Sequence, residues 1–157
     1  MSHRGVSAEQ ARAMIDRVVG IARDAGLDYD YDRLQHTNNI MAHQLLHFAK
    51  ERGLQLEMKE RLLSAYFVEG RHVGRIEDLA DLAAEVGLDR YDVVRALQAD
   101  EYLEAVDADM LQAPQYGING VPFFVIDGWY GVSGAQPPEA FTQVLERVAA
   151  DRAGAPA

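Results

Sequence analysis

The sequence predicts a mostly α-helical chain with a C-terminal β-hairpin, followed by one last helix. Two observations favour this fold class. Apolar residues recur at helical spacing in six segments between residues 7 and 112, and glycines end several of these segments. Asp127-Gly128 then joins two short apolar runs, and this dipeptide is a strong signal for a hairpin turn.

Capping residues set the boundaries of the helices. Ser7 and Gln10 match the capping box at the start of the first helix. Thr37 or Asn38 can cap the second. The predicted helices lie between Ser7 and Gly26, Thr37 and Arg52, Met58 and Gly70, Ile76 and Gly87, Asp89 and Leu97, and Asp100 and Gln112.

Gly-Leu recurs at 26–27, 53–54 and 87–88. A glycine in the left-handed conformation, followed by an apolar residue that contacts the helix, is typical of the Schellman motif. The unequal intervals argue against a structural repeat. We therefore interpret the three pairs as independent helix C-caps.

Proline and glycine mark the C-terminal third. Pro114 is predicted to stop the sixth helix, and the hairpin strands are predicted at Phe123–Ile126 and Trp129–Ser133. The first strand is apolar on both faces, which is typical of a strand inside a sheet, yet the chain offers it one partner strand only. Pro137 and Pro138 suit the start of the last helix. Its predicted buried stripe comprises Ala140, Phe141, Val144, Leu145 and Val148.

Composition narrows the function classes. The 157 residues carry a net charge of −10, which disfavours nucleic-acid binding. No apolar run is long enough for a membrane span, and residues 1–5 lack the apolar core of a signal peptide, so we expect a cytoplasmic protein. The chain has no cysteine, which excludes disulfides, thiolate nucleophiles and cysteine-ligated metals within it. Residues 151–157 are predicted to be a disordered tail.

Four segments resemble DsbA-family thioredoxin-like proteins, in particular their cytoplasmic FrnE-like group. They are residues 5–12 (GVSAEQAR), 38–46 (NNIMAHQLL), 59–67 (KERLLSAYF) and 121–124 (VPFF). The family also includes 2-hydroxychromene-2-carboxylate isomerases and kappa-class glutathione transferases.

The resemblance implies an incomplete thioredoxin-like α/β fold. Residues 5–115 would be the helical insertion of that fold. Residues 116–150 would supply the cis-proline strand, its hairpin partner and the last helix. The N-terminal part with the Cys-x-x-Cys motif has no counterpart in this sequence. Asn39, Met41 and Gln44 stand where the family usually has threonine, an acidic residue and arginine.

The family's activity is thiol–disulfide oxidoreduction. Because this chain has no thiolate, we expect it to be a truncated member, or one with a mis-assigned start, that is not competent in dithiol chemistry by itself. One alternative is a module that binds peptides or dimerises through the edge of the cis-proline strand. A lesser alternative is a cysteine-independent, glutathione-linked isomerase, although the serine motif of those relatives is not found.

The resemblance assigns substrate binding to Val121, Pro122, Asn38 and His43. A cis bond at Val121-Pro122 would turn the preceding backbone N–H and C=O outward, toward an extended peptide or a protein thiol substrate. The unpaired strand also makes a homodimer possible. No nucleic acid, membrane, metal or other cofactor is expected.

Three patterns resemble other sites without completing them. His43 and His47 have zinc-ligand spacing, but they lack a clear third ligand, so helix packing is the simpler explanation. Asp28, Asp30 and Asp32 resemble the start of a calcium loop whose glycine and glutamate positions hold Arg33 and Asn39. Ser133 lies in Gly-x-Ser-Gly-Ala rather than a nucleophile-elbow motif, so we interpret it as part of a turn.

Overall fold

A computed structural model describes residues 7–154 of the chain. The elements in chain order are α1 (Ala8–Asp24), α2 (Ile40–Glu51), α3 (Gln55–Phe67), α4 (Ile76–Glu85), α5 (Arg90–Gln98), α6 (Leu103–Gln115), β1 (Phe123–Ile126), β2 (Tyr130–Ser133) and α7 (Pro138–Gly154). The mostly helical fold class with its C-terminal antiparallel hairpin is therefore confirmed.

The chain divides into two compact units between Asp107 and Ala108, inside α6. We call them the N-terminal unit and the C-terminal unit. The predicted boundary lay at 115/116, where the helical segments end.

Helices α2 to α5 enclose the core of the N-terminal unit. Its largest buried side chains include Phe48, Leu45, Met58, Leu79 and Leu82, each no more than 1% exposed. They lie on the apolar stripes of three helices, so each helix buries one face against its neighbours. Helix α1 contributes little, because Ala22 is its one buried residue.

The three Gly-Leu pairs form the predicted Schellman caps. Gly26, Gly53 and Gly87 have φ values of 80°, 72° and 90°. In each cap the leucine N–H donates to a carbonyl five residues earlier. The bonds run from Leu27 to Ala22, from Leu54 to Ala49 and from Leu88 to Ala83, at 2.8, 2.9 and 3.0 Å. The capping box of Ser7 and Gln10 is also present.

Pro114 does not stop α6 where the sequence predicts. The helix continues to Gln115 with the proline in its last turn. It then closes through bonds from Gly117 N–H to the Pro114 carbonyl and from Ile118 N–H to the Ala113 carbonyl. The start also differs, because Asp100 has a φ of 50° and lies in the turn after α5.

The C-terminal unit buries much less apolar surface. Among its described residues, Val132 and Val148 are the buried hydrophobic ones. The predicted buried stripe of α7 is therefore wrong for Leu145, which is 54% exposed, and only partly realised for its other members, since a hairpin of two strands covers one narrow face.

Residues 151–154 are helical, whereas the sequence predicts disorder from residue 151; residues 155–157 lie outside the described chain.

Two contacts connect the end of α7 to the hairpin. Arg152 forms an ion pair with Asp127, and the Tyr130 hydroxyl donates to Asp151. Phe124 meets Phe141 edge-on, with ring centroids 4.9 Å apart.

Arg61 joins α3 to the turn after it and to the end of α4. Its guanidinium donates to both oxygens of Glu69 at 2.8 and 2.7 Å and to Glu85 at 2.6 Å. Arg71 donates to the other oxygen of Glu85 at 2.7 Å. The hydrogen bonds from Arg61 lower the pKa of Glu69 below its usual value of 4.5. The hydrogen bonds from Arg71 and Arg61 lower the pKa of Glu85 in the same way.

This cluster predicts an acid-sensitive contribution to stability. Because the folded-state pKa values are lowered, the contribution is complete above about pH 4.5 and is lost as the pH falls through them. Both glutamates are more than a third exposed, so we expect about 1 kcal/mol or less from each. Urea unfolding between pH 6 and pH 3 should show a smaller stability loss in Glu69→Gln than in wild type. Glu60→Gln, an exposed change elsewhere on α3, should match wild type; equal pH slopes in all three proteins would contradict the account.

Candidate functional site

The outer edge of β1 is the first candidate site. Strands β1 and β2 form a two-stranded antiparallel sheet in which Phe123 pairs with Ser133 and Val125 with Gly131. The Gly134 N–H donates to the Pro122 carbonyl at 2.9 Å. Since hydrogen-bonded pairs alternate along an antiparallel ladder, this bond indicates that Phe124 and Ile126 direct their backbone groups toward β2. Phe123 and Val125 then direct theirs to the open edge.

Val121 and Pro122 extend this edge before the strand begins. Val121 is 91% exposed, and its backbone N–H and C=O have no hydrogen-bond partner within residues 7–154. The Val121–Pro122 peptide bond is cis, the geometry that the resemblance implies. Both residues therefore lie next to open backbone groups, and their contact with a substrate stays a prediction.

Exposed apolar side chains lie on β1 and in the connection that follows it. Phe124 is 42% exposed, Val125 is 38% exposed and Trp129 is 90% exposed. Strand β1 is apolar on both faces, as the sequence predicts, and a hairpin of two strands does not bury either face completely. A strand that is apolar, uncharged and unpaired along one edge can accept a further strand there.

A cleft of about 270 Å³ in the N-terminal unit is the second candidate. Side chains of α2 and α3 form most of its lining, together with residues of the segments before α2 and after α3. The lining residues are Thr37, Asn39, Ala42, His43, Leu46, Lys59, Leu62, Leu63, Tyr66, Phe67 and Val73. Most of this surface is apolar, and the polar side chains are few.

Of the predicted site residues, His43 lines this cleft, whereas Asn38 is not among its lining residues. The Asn38 side chain accepts a hydrogen bond from the Ile40 N–H at 2.9 Å, which places it in a local turn at the start of α2. Lys59 and Asn39 were missed as cleft residues. No local motif identifies them, because their position depends on the packing of α2 against α3.

Two glycines, Gly70 and Gly74, allow the segment before α2 to pack closely against the loop after α3. A Cβ atom on Gly74 would lie 2.2 Å from the Thr37 hydroxyl oxygen and 2.5 Å from the Asn38 carbonyl oxygen. A Cβ atom on Gly70 would lie 2.6 Å from the Arg33 Cβ and 2.8 Å from the Arg33 carbonyl oxygen, and the Gly70 carbonyl accepts from the Gln35 amide at 2.8 Å. The backbone before α2 can therefore approach the loop only where side chains are absent.

Two aspartates of the calcium-like pattern are engaged by arginine residues. Asp30 accepts from the Arg33 N–H at 3.2 Å, and Asp32 accepts from Arg12 at 2.9 Å. Within the described residues, no three histidine, aspartate or glutamate side chains are grouped as a metal site would need.

No helix of the described part is long and apolar enough to cross a membrane.

Comparison with known proteins places the chain in a family. Residues 1–146 match the family described as the DSBA-like thioredoxin domain. The chain belongs to this family. The chain is similar to the crystal structure of the probable DsbA oxidoreductase SCO1869 from Streptomyces coelicolor, with a TM-score of 0.87 and 42% sequence identity. That match covers 98% of this chain and 65% of the other.

Two further proteins are similar to this chain. The uncharacterized protein YwbO of Bacillus subtilis is 29% identical over 127 residues, which cover 80% of this chain and 63% of YwbO. A putative protein disulfide isomerase from Nitrosomonas europaea shares the fold with a TM-score of 0.73 at 17% identity, over 93% of this chain and 76% of the other. The chain thus spans less than two thirds of the length of SCO1869 and of YwbO. None of its 157 residues is a cysteine.

The close approach at Gly74 yields a prediction. Gly74→Ala should destabilise the protein by about 1–3 kcal/mol, because the new methyl group overlaps backbone and hydroxyl atoms that the start of α2 holds in place. Gly20→Ala is the matched control. Its Cβ would meet no atom within 4 Å, and alanine in α1 should stabilise by about 0.5–1 kcal/mol. Urea denaturation of both variants measures the difference, and a Gly74→Ala protein as stable as wild type would contradict the packing account.

Proposed function

We propose that this domain binds extended polypeptide segments along the open edge of β1, as the substrate-binding part of a thiol–disulfide exchange system. One observation is decisive for the proposal. Phe123 and Val125 leave two N–H and two C=O groups on an edge whose neighbouring side chains are apolar and exposed. Adding a strand is the simplest way to pair those groups.

The geometry also suggests the class of peptide. Residues 121–125 offer backbone contacts for a short strand, and exposed Val121, Phe124 and Val125 offer contact to its side chains. A peptide with apolar or β-branched residues at alternate positions would bury them. Each backbone hydrogen bond adds about 0.5–1.5 kcal/mol net, so a weak, reversible complex is expected, as suits a substrate.

The exchange step itself needs a thiolate, and these 157 residues contain none. Under this proposal they contribute peptide binding, and they do not catalyse exchange by themselves. Family membership and the 42% identity to SCO1869 support a role in thiol–disulfide chemistry. The segments at 38–46 and 59–67 favour the FrnE-like group within the family, with a cytoplasmic location.

Substitution at Val125 tests the proposal. Proline there removes the outward N–H and leaves the bonds to β2 intact, since the Val125 backbone does not face β2. Val125→Thr is the matched control, because it keeps the N–H and the branched shape. A fluorescein-labelled peptide of about eight residues, alternating valine and threonine between terminal lysines, should bind wild type and Val125→Thr with similar affinity. Val125→Pro should bind about tenfold more weakly or not at all.

Three controls make the result interpretable. Circular dichroism should show equal helix content in all variants, so that lost binding is not unfolding. Analytical ultracentrifugation detects a homodimer through the same edge, which would compete with the peptide. The proposal is wrong if no variant binds the peptide and wild type is monomeric, or if Val125→Pro binds as well as Val125→Thr. In an insulin-reduction assay, the 157-residue chain should show no activity above buffer.

A further inference from the structure

Helix α1 presents an apolar stripe that nothing else within residues 7–154 covers. Met14 is 63% exposed, Val18 is 42% exposed and Ile21 is 61% exposed. The three residues are spaced by four and three positions, so they lie on one side of the helix and match the core positions of a heptad. We call Met14, Val18 and Ile21 the α1 stripe.

A different side of α1 faces its own chain. Arg12 donates to Asp32 at 2.9 Å, and Ile15 and Val19 line a hollow together with residues of the segment 28–33. These contacts hold the helix in place without using the α1 stripe. The stripe is therefore available to another molecule.

Two charged residues flank one side of the α1 stripe. Arg17 and Asp24 are seven residues apart, so they occupy equivalent positions in the heptad. Neither side chain has an ion-pair or hydrogen-bond partner among the described residues. Asp24 is the last residue of α1, where the negative end of the helix dipole disfavours a carboxylate unless a cation lies close. Arg17 of the same helix is about 10 Å away along the axis, too far to serve as that cation.

An antiparallel pair of α1 helices satisfies both charges. In such a pair, related by a two-fold axis, residues beside the seam meet residues of the same flank on the other helix. When Val18 lies opposite Ile21 of the partner subunit, Arg17 lies beside Asp24 of the partner subunit, and the axis repeats both contacts. A parallel pair would instead place Ala22 of the partner subunit beside Arg17, which gives the charge no partner.

We propose that two copies of this protein associate through antiparallel contact of their α1 stripes, with two ion pairs between Arg17 and Asp24 across the two-fold axis. The contact lies outside the peptide edge of the proposed function. The seam spans about two heptads and buries less than the ~1,200 Å² of a standard interface. We therefore expect a reversible dimer with a dissociation constant of about 100 µM.

Exchange of the two charges tests the pairing. By sedimentation equilibrium, Arg17→Asp and Asp24→Arg should each weaken the dimer at least about tenfold, because each places like charges together twice. The double variant restores both ion pairs and should dimerise as wild type does. An equimolar mixture of the two single variants should form a heterodimer. Arg23→Asp is the matched control. It makes the same charge change on the opposite side of α1 and should leave the dimer unchanged.

Val125→Pro separates this dimer from one formed through β1. Since β1 belongs to the C-terminal unit, the variant should dimerise as wild type does, and a loss of the dimer would overturn the proposal in favour of the β1 edge. Amide chemical shifts should change with protein concentration at residues 14–25.

Three further results would overturn the proposal. One is wild type that stays monomeric at about 1 mM, which would favour a different polypeptide on the α1 stripe. The second is a double variant no better than the single ones. The third is Arg23→Asp weakening the dimer as much as Arg17→Asp. Circular dichroism should show equal helix content in all variants, so that a lost dimer is not an unfolded α1.

Discussion

The backbone hydrogen bonding of β1 constrains the C-terminal unit more than any other interaction. A strand presents N–H and C=O groups on both of its edges, and within residues 7–154 β2 pairs with one edge only, which leaves the groups of the other edge to water. The narrow sheet also covers little apolar surface: Phe124, Val125 and Trp129 are exposed, and Val132 and Val148 are the buried hydrophobic residues among those described in this unit. So little burial offsets only a small part of the entropy lost on ordering the unit. Whatever pairs with β1 therefore also stabilises the elements around it.

The N-terminal unit does not share this constraint. Its helices satisfy their own backbone groups, and α2 to α5 bury a continuous apolar core around Phe48 and Met58. Its cleft arises from packing between helices. Close approach at Gly74 fixes the chain before α2, and the contact of α2 with α3 brings His43 and Lys59 to one cleft.

The sequence predicted features that depend on local chemistry. Ser7 with Gln10, the glycines at 26, 53 and 87, and Asp127-Gly128 each determine backbone geometry within a few residues, and the structure has the expected caps and hairpin. Features that depend on distant residues were not predicted. The apolar residues of α7 recur with the helical period. That period carries no information about the width of the sheet that α7 packs against, and this sheet has two strands. Asn38 fits a family pattern, but its side chain accepts a hydrogen bond within a local turn. Lys59 lines the cleft because α3 packs against α2, which ends eight residues before Lys59.

Hydrogen exchange at individual amides of β1 tests the central claim most directly. In the free protein, the Phe123 and Val125 amides should exchange rapidly, while those of Phe124 and Ile126 should be protected by β2. Addition of the valine–threonine peptide should slow exchange at Phe123 and Val125 and leave the pattern elsewhere in the hairpin unchanged. A peptide that binds without protecting Phe123 and Val125 would contradict the account, as would equal protection of all four amides in the free protein.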